Sequence, residues 1–160
     1  MYIQSGELVI ILGDKFVFRK RFLKSLRFRI IVMLVAVLRI SELQNQSMIL
    51  CDQLDNADYM EHMDSEVINA ELLQFSNIYN GRVMIVDDHF QIIKDTYDAD
   101  QGKTLASSDV IKCFRGKGTN RYDMKNRYIE VTSPILQNNR RDVEGVMLVT
   151  VSIDAILDGA

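Results

Sequence analysis

The chain has 160 residues, 48% of them hydrophobic and 26% charged, with one proline, eight glycines and a formal charge of −3. That is room for one compact domain of about 100–150 residues plus an arm, and it excludes a disordered acidic tract, a collagen-like repeat and a Pro-rich chain. Two cysteines, Cys51 and Cys113, exclude a disulfide scaffold and a four-cysteine metal site, and the acidic balance argues against a general nucleic-acid binder.

Charge is unevenly spread. Residues 1–40 carry eight basic and two acidic side chains, a net of +6, whereas residues 41–160 carry eleven basic and twenty acidic, a net of −9. Seven of the basic residues lie between Lys15 and Arg29, with no acid among them and with Phe16, Phe18, Phe22 and Phe28 interleaved. The apolar run Ile30–Leu38 follows directly. A cationic flank followed by an apolar run is how a membrane helix with a cytoplasmic N-terminus begins. Residues 1–29 are therefore read as a basic cytoplasmic-type arm and 30–40 as a shortened membrane-anchor segment. The run counts nine residues before Arg39, against about 20 for a bilayer core of about 30 Å, so as it stands it cannot span. An amphipathic or buried helix is the competing reading. An RNA-binding arm leaves the aliphatic run unexplained, and no small-residue cleavage pattern follows that would mark a signal peptide.

From Ile40 to Tyr79 there is no glycine or proline, and apolar residues recur at Leu43, Leu50, Leu54, Ala57, Met60, Val67, Leu72, Phe75 and Ile78. Steps of three and four dominate, which predicts a long helix over 41–80 with one apolar stripe, a break near Asn56–Asp58 being an open alternative. The half nearer the sheet is expected to pack on it. The other half, Leu43 and Leu50 included, is expected to lie exposed in a lone protomer and to need a second copy. Asn80-Gly81 ends the helix, with Gly81 suited to a left-handed cap.

At Arg82 the pattern shortens to β-runs. Val83–Val86 and Gln91–Asp95 predict two strands around the turn Asp87-Asp88-His89. Tyr97–Leu105 reads as loop. Ser107 or Ser108 caps a short helix through Val110, Ile111 and Phe114 that Gly116 stops. Arg121–Met124 and Arg127–Thr132 predict a hairpin around Lys125-Asn126. In its second strand Ile129 and Val131 face one way, and Tyr128, Glu130 and Thr132 the other. A polar turn at Gln137–Asp142 precedes the most apolar strand, Val146–Ile153, and a helix starts at Ile153. Five antiparallel strands with helices on one side make an α+β domain over 81–160, with Val83 and Val149 expected in its core.

Catalytic signatures are absent. No phosphate-binding glycine loop occurs, Arg115-Gly116-Lys117-Gly118 being more simply a helix-stop turn, and His62 and His89 are the only histidines. Asp87, Asp88 and His89 could approach a divalent ion, but turns use these residue types for backbone reasons. Cys51 and Cys113 are read as small packing residues. No Ser/His/Asp or Cys/His set assembles, so no catalysis and no cofactor are expected within the chain.

The segment from about Val67 to Ile156 resembles the extracytoplasmic PAS-like (Cache-type) sensor region of bacterial membrane histidine kinases. The matching text is Arg82–Asp87, Ile92–Asp95, Gly102-Lys103-Thr104-Leu105, Asp109-Val110, Tyr128–Ile135 with its V-T-x-P-I pattern, and the closing Gly145–Ser152 strand. The resemblance implies a long N-terminal helix followed by a PAS-like five-stranded antiparallel sheet with a short helix. It implies a signal-input role at the bacterial cell membrane, with the sheet domain extracytoplasmic, a homodimer through the long helix, an unidentified small-molecule or ion signal, and no nucleic-acid partner. No phosphoacceptor or ATP-binding box is present, so phosphotransfer would belong to a longer parent protein. The resemblance also places a ligand region over the wetter sheet face, with Tyr97, Arg121, Tyr122, Tyr128 and Thr132 as candidates: Arg121 could pair with a carboxylate and the tyrosines could wall it. Partly buried sheet tyrosines and a solvated edge arginine are the bland alternative. A soluble PAS- or profilin-like binding module with no membrane role is the competing function.

Overall fold

The computed structural model describes residues 26–137 and 142–158. The basic arm through residue 25 and the turn at 138–141 lie outside them. The first helix, α1 (Leu26–Asn56), buries Leu43, Ser47, Leu50, Cys51 and Leu54, a stripe at steps of three and four as the sequence pattern requires. The 41–80 stretch is not one continuous helix. Asp58 takes a φ of 47°, a left-handed conformation that an α-helix cannot propagate through, so the break falls at the Asn56–Asp58 position. The helix resumes as α2 (Glu66–Ile78), where Ser65 Oγ accepts from the Ile68 N–H, a side-chain N-cap. Between them Tyr59 is 1% exposed and donates its hydroxyl to Asn69 Oδ1 at 2.8 Å, tying the connection to α2.

The left-handed residue after α2 is Asn80, with φ 46°, rather than Gly81. Gly81 opens strand β1 (Gly81–Asp87). It is needed there for a close approach: a Cβ would meet Val151 Cγ2 at 2.8 Å and the Thr150 carbonyl oxygen at 2.9 Å. Strand β2 (Ile92–Asp95), the short helix α3 (Ser108–Phe114), β3 (Thr119–Asp123), β4 (Tyr128–Leu136), β5 (Val143–Ser152) and α4 (Ile153–Asp158) follow. Ser107 Oγ accepts from the Val110 N–H to cap α3. Gly116, at φ 79°, stops it, and the Lys117 N–H returns to the Lys112 carbonyl, the wrap-back typical of a glycine C-terminus.

The sheet is antiparallel in the order β2-β1-β5-β4-β3. Helices cover both of its faces, not one. Val83, Ile85, Ile129, Val131, Ile135, Met147, Val149 and Val151 form one cluster with Leu43, Leu50 and Leu54 of α1, Leu72 and Phe75 of α2, and Ile156 of α4. Met84, Val86, Ile92, Val146 and Leu148 form a second with Val110 and Cys113 of α3. The physical reason is visible in β1 and β5, where Val83–Val86 and Val146–Val149 are buried at consecutive positions, which only a sheet covered on both sides requires. Val83 and Val149 are each 1% exposed, as expected.

Leu43 and Leu50 overturn their expectation, being 1% and 4% exposed within a single chain. Because the chain breaks after Asn56, α1 and α2 share one sheet face, and the α1 stripe finds its core there rather than in a second copy. The chain divides into two compact units, Met1–Leu38 and Arg39–Ala160. In the first, the described residues Leu26–Leu38 are helical and Leu26, Met33, Leu34, Val37 and Leu38 are exposed. The sheet and both apolar clusters belong to the second. Among the described residues no helix is long and apolar enough to cross a membrane.

Candidate functional site

Side chains alternate across a strand, so Arg82 shares the α3 face with Met84. The register aligns Arg82 of β1 with Thr150 of β5, Glu130 of β4 and Arg121 of β3. This polar row crosses four strands, about 14 Å from end to end at one strand spacing of about 4.8 Å per step. The next row, Met84, Leu148, Thr132 and Thr119, runs beneath α3 and is the drier half of the face.

The two arginines of the row are held differently. Arg82 grips Asp95 through Nε and Nη2 at 2.9 and 2.6 Å and reaches Asp100 at 2.7 Å. The Asp95 side chain is fully buried and also accepts the N–H groups of Tyr97, Ala99 and Asp100. The Arg82 hydrogen bond holds the Asp95 carboxyl well below the usual carboxylate range against the opposing effect of burial, with the Tyr97 and Asp100 amides adding to it. The same bond pushes the Arg82 guanidinium above its ordinary value. This clamp sets the start of the loop after β2 and brings the Tyr97 ring to 5.9 Å from the Arg82 guanidinium. Arg82 is thus engaged by the fold itself.

Arg121 is more loosely held. Its side chain is 48% exposed. It donates to the Tyr128 hydroxyl at 2.9 Å and to Glu130 Oε2 at 3.4 Å, and its Nε lies 3.8 Å from Asp109 Oδ2 in the first turn of α3. Its guanidinium lies 5.9 Å from the Tyr128 ring. The Asp109 and Glu130 side chains are only 10% and 12% exposed. Burial pushes the Glu130 carboxyl above its ordinary value, with Arg121 opposing and Asp109 reinforcing. An arginine with spare N–H groups, a tyrosine wall and two carboxylates can exchange an internal partner for an external polar group, which is what a recognition site needs.

Of the five residues named from the resemblance, Arg121 and Tyr128 are brought together. Tyr97 stands at the opposite end of the row, beside Arg82, and is 58% exposed. Thr132 is 2% exposed: its hydroxyl accepts the Thr119 N–H at 2.9 Å beneath α3, so it serves as a cross-strand tie. Tyr122 pairs in register with Ile129 and therefore lies on the other face, away from Arg121. Sequence reasoning does not bring Asp109, Glu130, Arg82 and Thr150 into the site. The alternation Tyr128, Glu130, Thr132 is the available signal for Glu130. Nothing local marks the other three, because their position depends on strand register.

The turn Asp87, Asp88 and His89 could present three ligand atoms within 4.8 Å of one another. Asp87 Oδ1, however, already accepts the His89 and Gln91 N–H groups, and His89 Nδ1 sits 2.6 Å from Asp88 Oδ1. The turn accounts for these residues. Cys51 and Cys113 are free and buried on opposite faces of the sheet. Burial pushes both thiols up, Cys113 to about 11, so neither is poised as a nucleophile.

Sheet order, a long leading helix and α3 across the second face together define the architecture. It is the fold of PAS-like sensor domains. The chain is similar to the crystal structure of the E. coli DcuS sensor domain, with a TM-score of 0.57 and 12% identity over 76% of this chain and 96% of that one. It is also similar to the sensor domain of the V. cholerae histidine kinase DctB, with a TM-score of 0.52 and 13% identity over 96% of this chain and 60% of that one. No protein-family model matches the sequence, and no curated protein does. The likeness is therefore one of fold, and it agrees with the resemblance carried by the strand motifs.

Proposed function

We propose that this chain is the signal-input region of a two-component sensor histidine kinase, with its sheet domain outside the cytoplasm. The observation that carries the reading is the fold shared with two sensor domains, one of them from a histidine kinase. Phosphotransfer belongs to a kinase module joined to this region. The signal, a small molecule or ion, docks on the α3 face at Arg121 and Tyr128, and the change passes to α1 and α4, which meet the sheet on the other face. Such a domain works by favouring one of two packing arrangements. A homodimer through the long helix is part of the proposal. Leu43 and Leu50 are not its seam. Met48 and Ile49, 60% and 51% exposed, are available on α1. Ile49 also lines a groove of about 260 Å³ between α1 and α2 with Gln46, Gln53, Gln74 and Ile78. The basic arm draws the N-terminus to an anionic membrane surface.

A chimera tests the reading: residues 39–158 replace the sensor domain within the full-length DctB kinase, and phosphorylation-dependent reporter output is measured. Output that differs from that of a kinase carrying a plain linker in the same place, and that shifts severalfold on Arg121→Ala, is expected. Output equal to that of the linker-bearing kinase and indifferent to Arg121→Ala would reject a signal-input role.

A further inference from the structure

Two carboxylates converge on Arg121 from different elements. Asp109 comes from α3 and Glu130 from β4, and both are nearly buried. Their compensation is unequal. Asp109 also has the Lys112 ammonium at 3.2 Å, one turn along the same helix, whereas Glu130 has only its share of Arg121 at 3.4 Å among the ion pairs of the described residues. The other groups around Glu130 are the Tyr128 hydroxyl on its own strand, which itself accepts from Arg121, and the uncharged Thr150 beside it on β5. Beyond Thr150 the row reaches Arg82, which Asp95 and Asp100 already neutralise. If one member of this cluster takes up a proton, it is Glu130.

We propose that Glu130, Arg121 and Asp109 form a proton-operated clamp on α3. With Glu130 ionised, Arg121 is divided between β4 and α3. With Glu130 protonated, Asp109 is the charged carboxylate left to Arg121, and this pair, which Lys112 shares on the α3 side, binds β3 to α3. Acid then tightens α3 on the sheet. The position of the Glu130 carboxyl above its ordinary value, through burial and the Asp109 charge, supports this order of events. The sign follows from linkage. A carboxyl whose folded pKa is raised adds stability that is fully present below its unfolded value and is lost as pH rises through the folded one. The clamp needs no kinase and no ligand, so it stands or falls separately from the proposed function.

Two measurements on the full chain test it. Carboxyl ¹³C NMR between pH 4 and 8 reads the Glu130 midpoint against the ordinary glutamate value, and amide hydrogen exchange, corrected for intrinsic rate, reads α3 protection over the same range. The expected result is a Glu130 midpoint above the ordinary glutamate value, with α3 protection rising as pH falls through it, up to about tenfold for each unit of displacement. Glu130→Gln should hold α3 at the low-pH protection throughout, and Asp109→Asn should bring the Glu130 midpoint down towards the ordinary glutamate value. A wild-type α3 whose protection ignores pH, an E130Q protein with the wild-type response, or a Glu130 midpoint unmoved by D109N would each overturn the clamp. The D109N arm decides the matter even if E130Q fails to fold.

Discussion

Replacing Asp95 with alanine should be among the most damaging single changes outside the apolar core. The carboxylate is fully buried and makes two charged contacts to Arg82, at 2.9 and 2.6 Å, and three to backbone amides. Truncation leaves three loop N–H groups without their acceptor and Arg82, 22% exposed, with Asp100 alone. Breaking a buried pair by removing one partner costs about 3–5 kcal/mol, which for a domain of this size lowers Tm by about 10–20 °C. The pH dependence has a defined sign. The folded-state carboxyl lies far below its unfolded value of 3.8, so its stabilisation is complete above that value and is lost as pH falls through the folded one. Urea unfolding followed by circular dichroism should show a gap between wild type and Asp95→Ala that is constant from pH 8 down to about pH 5 and narrows below about pH 4. A loss under about 1 kcal/mol at pH 7, or a gap that widens in acid, would refute the assignment of Asp95 as the anchor of this loop.

Leu43→Ala and Leu50→Ala should each cost about 2–5 kcal/mol, by an amount independent of protein concentration, because the same chain buries both residues. A penalty that appears only at dimerising concentrations would restore them to an intersubunit seam. Cys51 and Cys113 should react with a thiol reagent only after unfolding, and should stay unbridged under oxidising conditions because the sheet separates them. Prompt labelling of either thiol in the native protein would contradict their burial. The basic arm should carry the chain onto anionic vesicles at low salt, at about 1 kcal/mol for each Lys or Arg near the surface, and release it in high salt. Flotation that resists salt, or that fails at low salt, would reject a peripheral electrostatic attachment.

Features legible in the sequence are those whose cause is local. Ser107 caps the helix that follows it, Gly116 halts α3, and Asp58 lies at the position where the long helix breaks. The alternation of Ile129 and Val131 with Tyr128 and Glu130 gives β4 its two faces. Each depends on a few neighbouring dihedrals and hydrogen bonds, so a short window of residues suffices to specify it. The PAS-like fold came instead from the resemblance of the strand motifs to a known family.

Long-range pairing decided the rest. Whether Leu43 is exposed or buried depends on α1 and α2 sharing one sheet face, which a helical stripe by itself does not state. Consecutive buried positions in β1 and β5 draw α3 to the second face, where a reading of one strand at a time places every helix on the same side. The row Arg82, Thr150, Glu130 and Arg121 spans residues 82–150, and no spacing along the chain relates them, because only the register of three strand pairs makes them neighbours. Asp109 joins Arg121 only because α3 lies across β4 and β5. Local sequence determines which elements form and where they stop. The partners of a charged side chain are set by which distant element lies beside it, and so the meeting of Arg121 with Glu130 and Asp109 was decided by the tertiary structure.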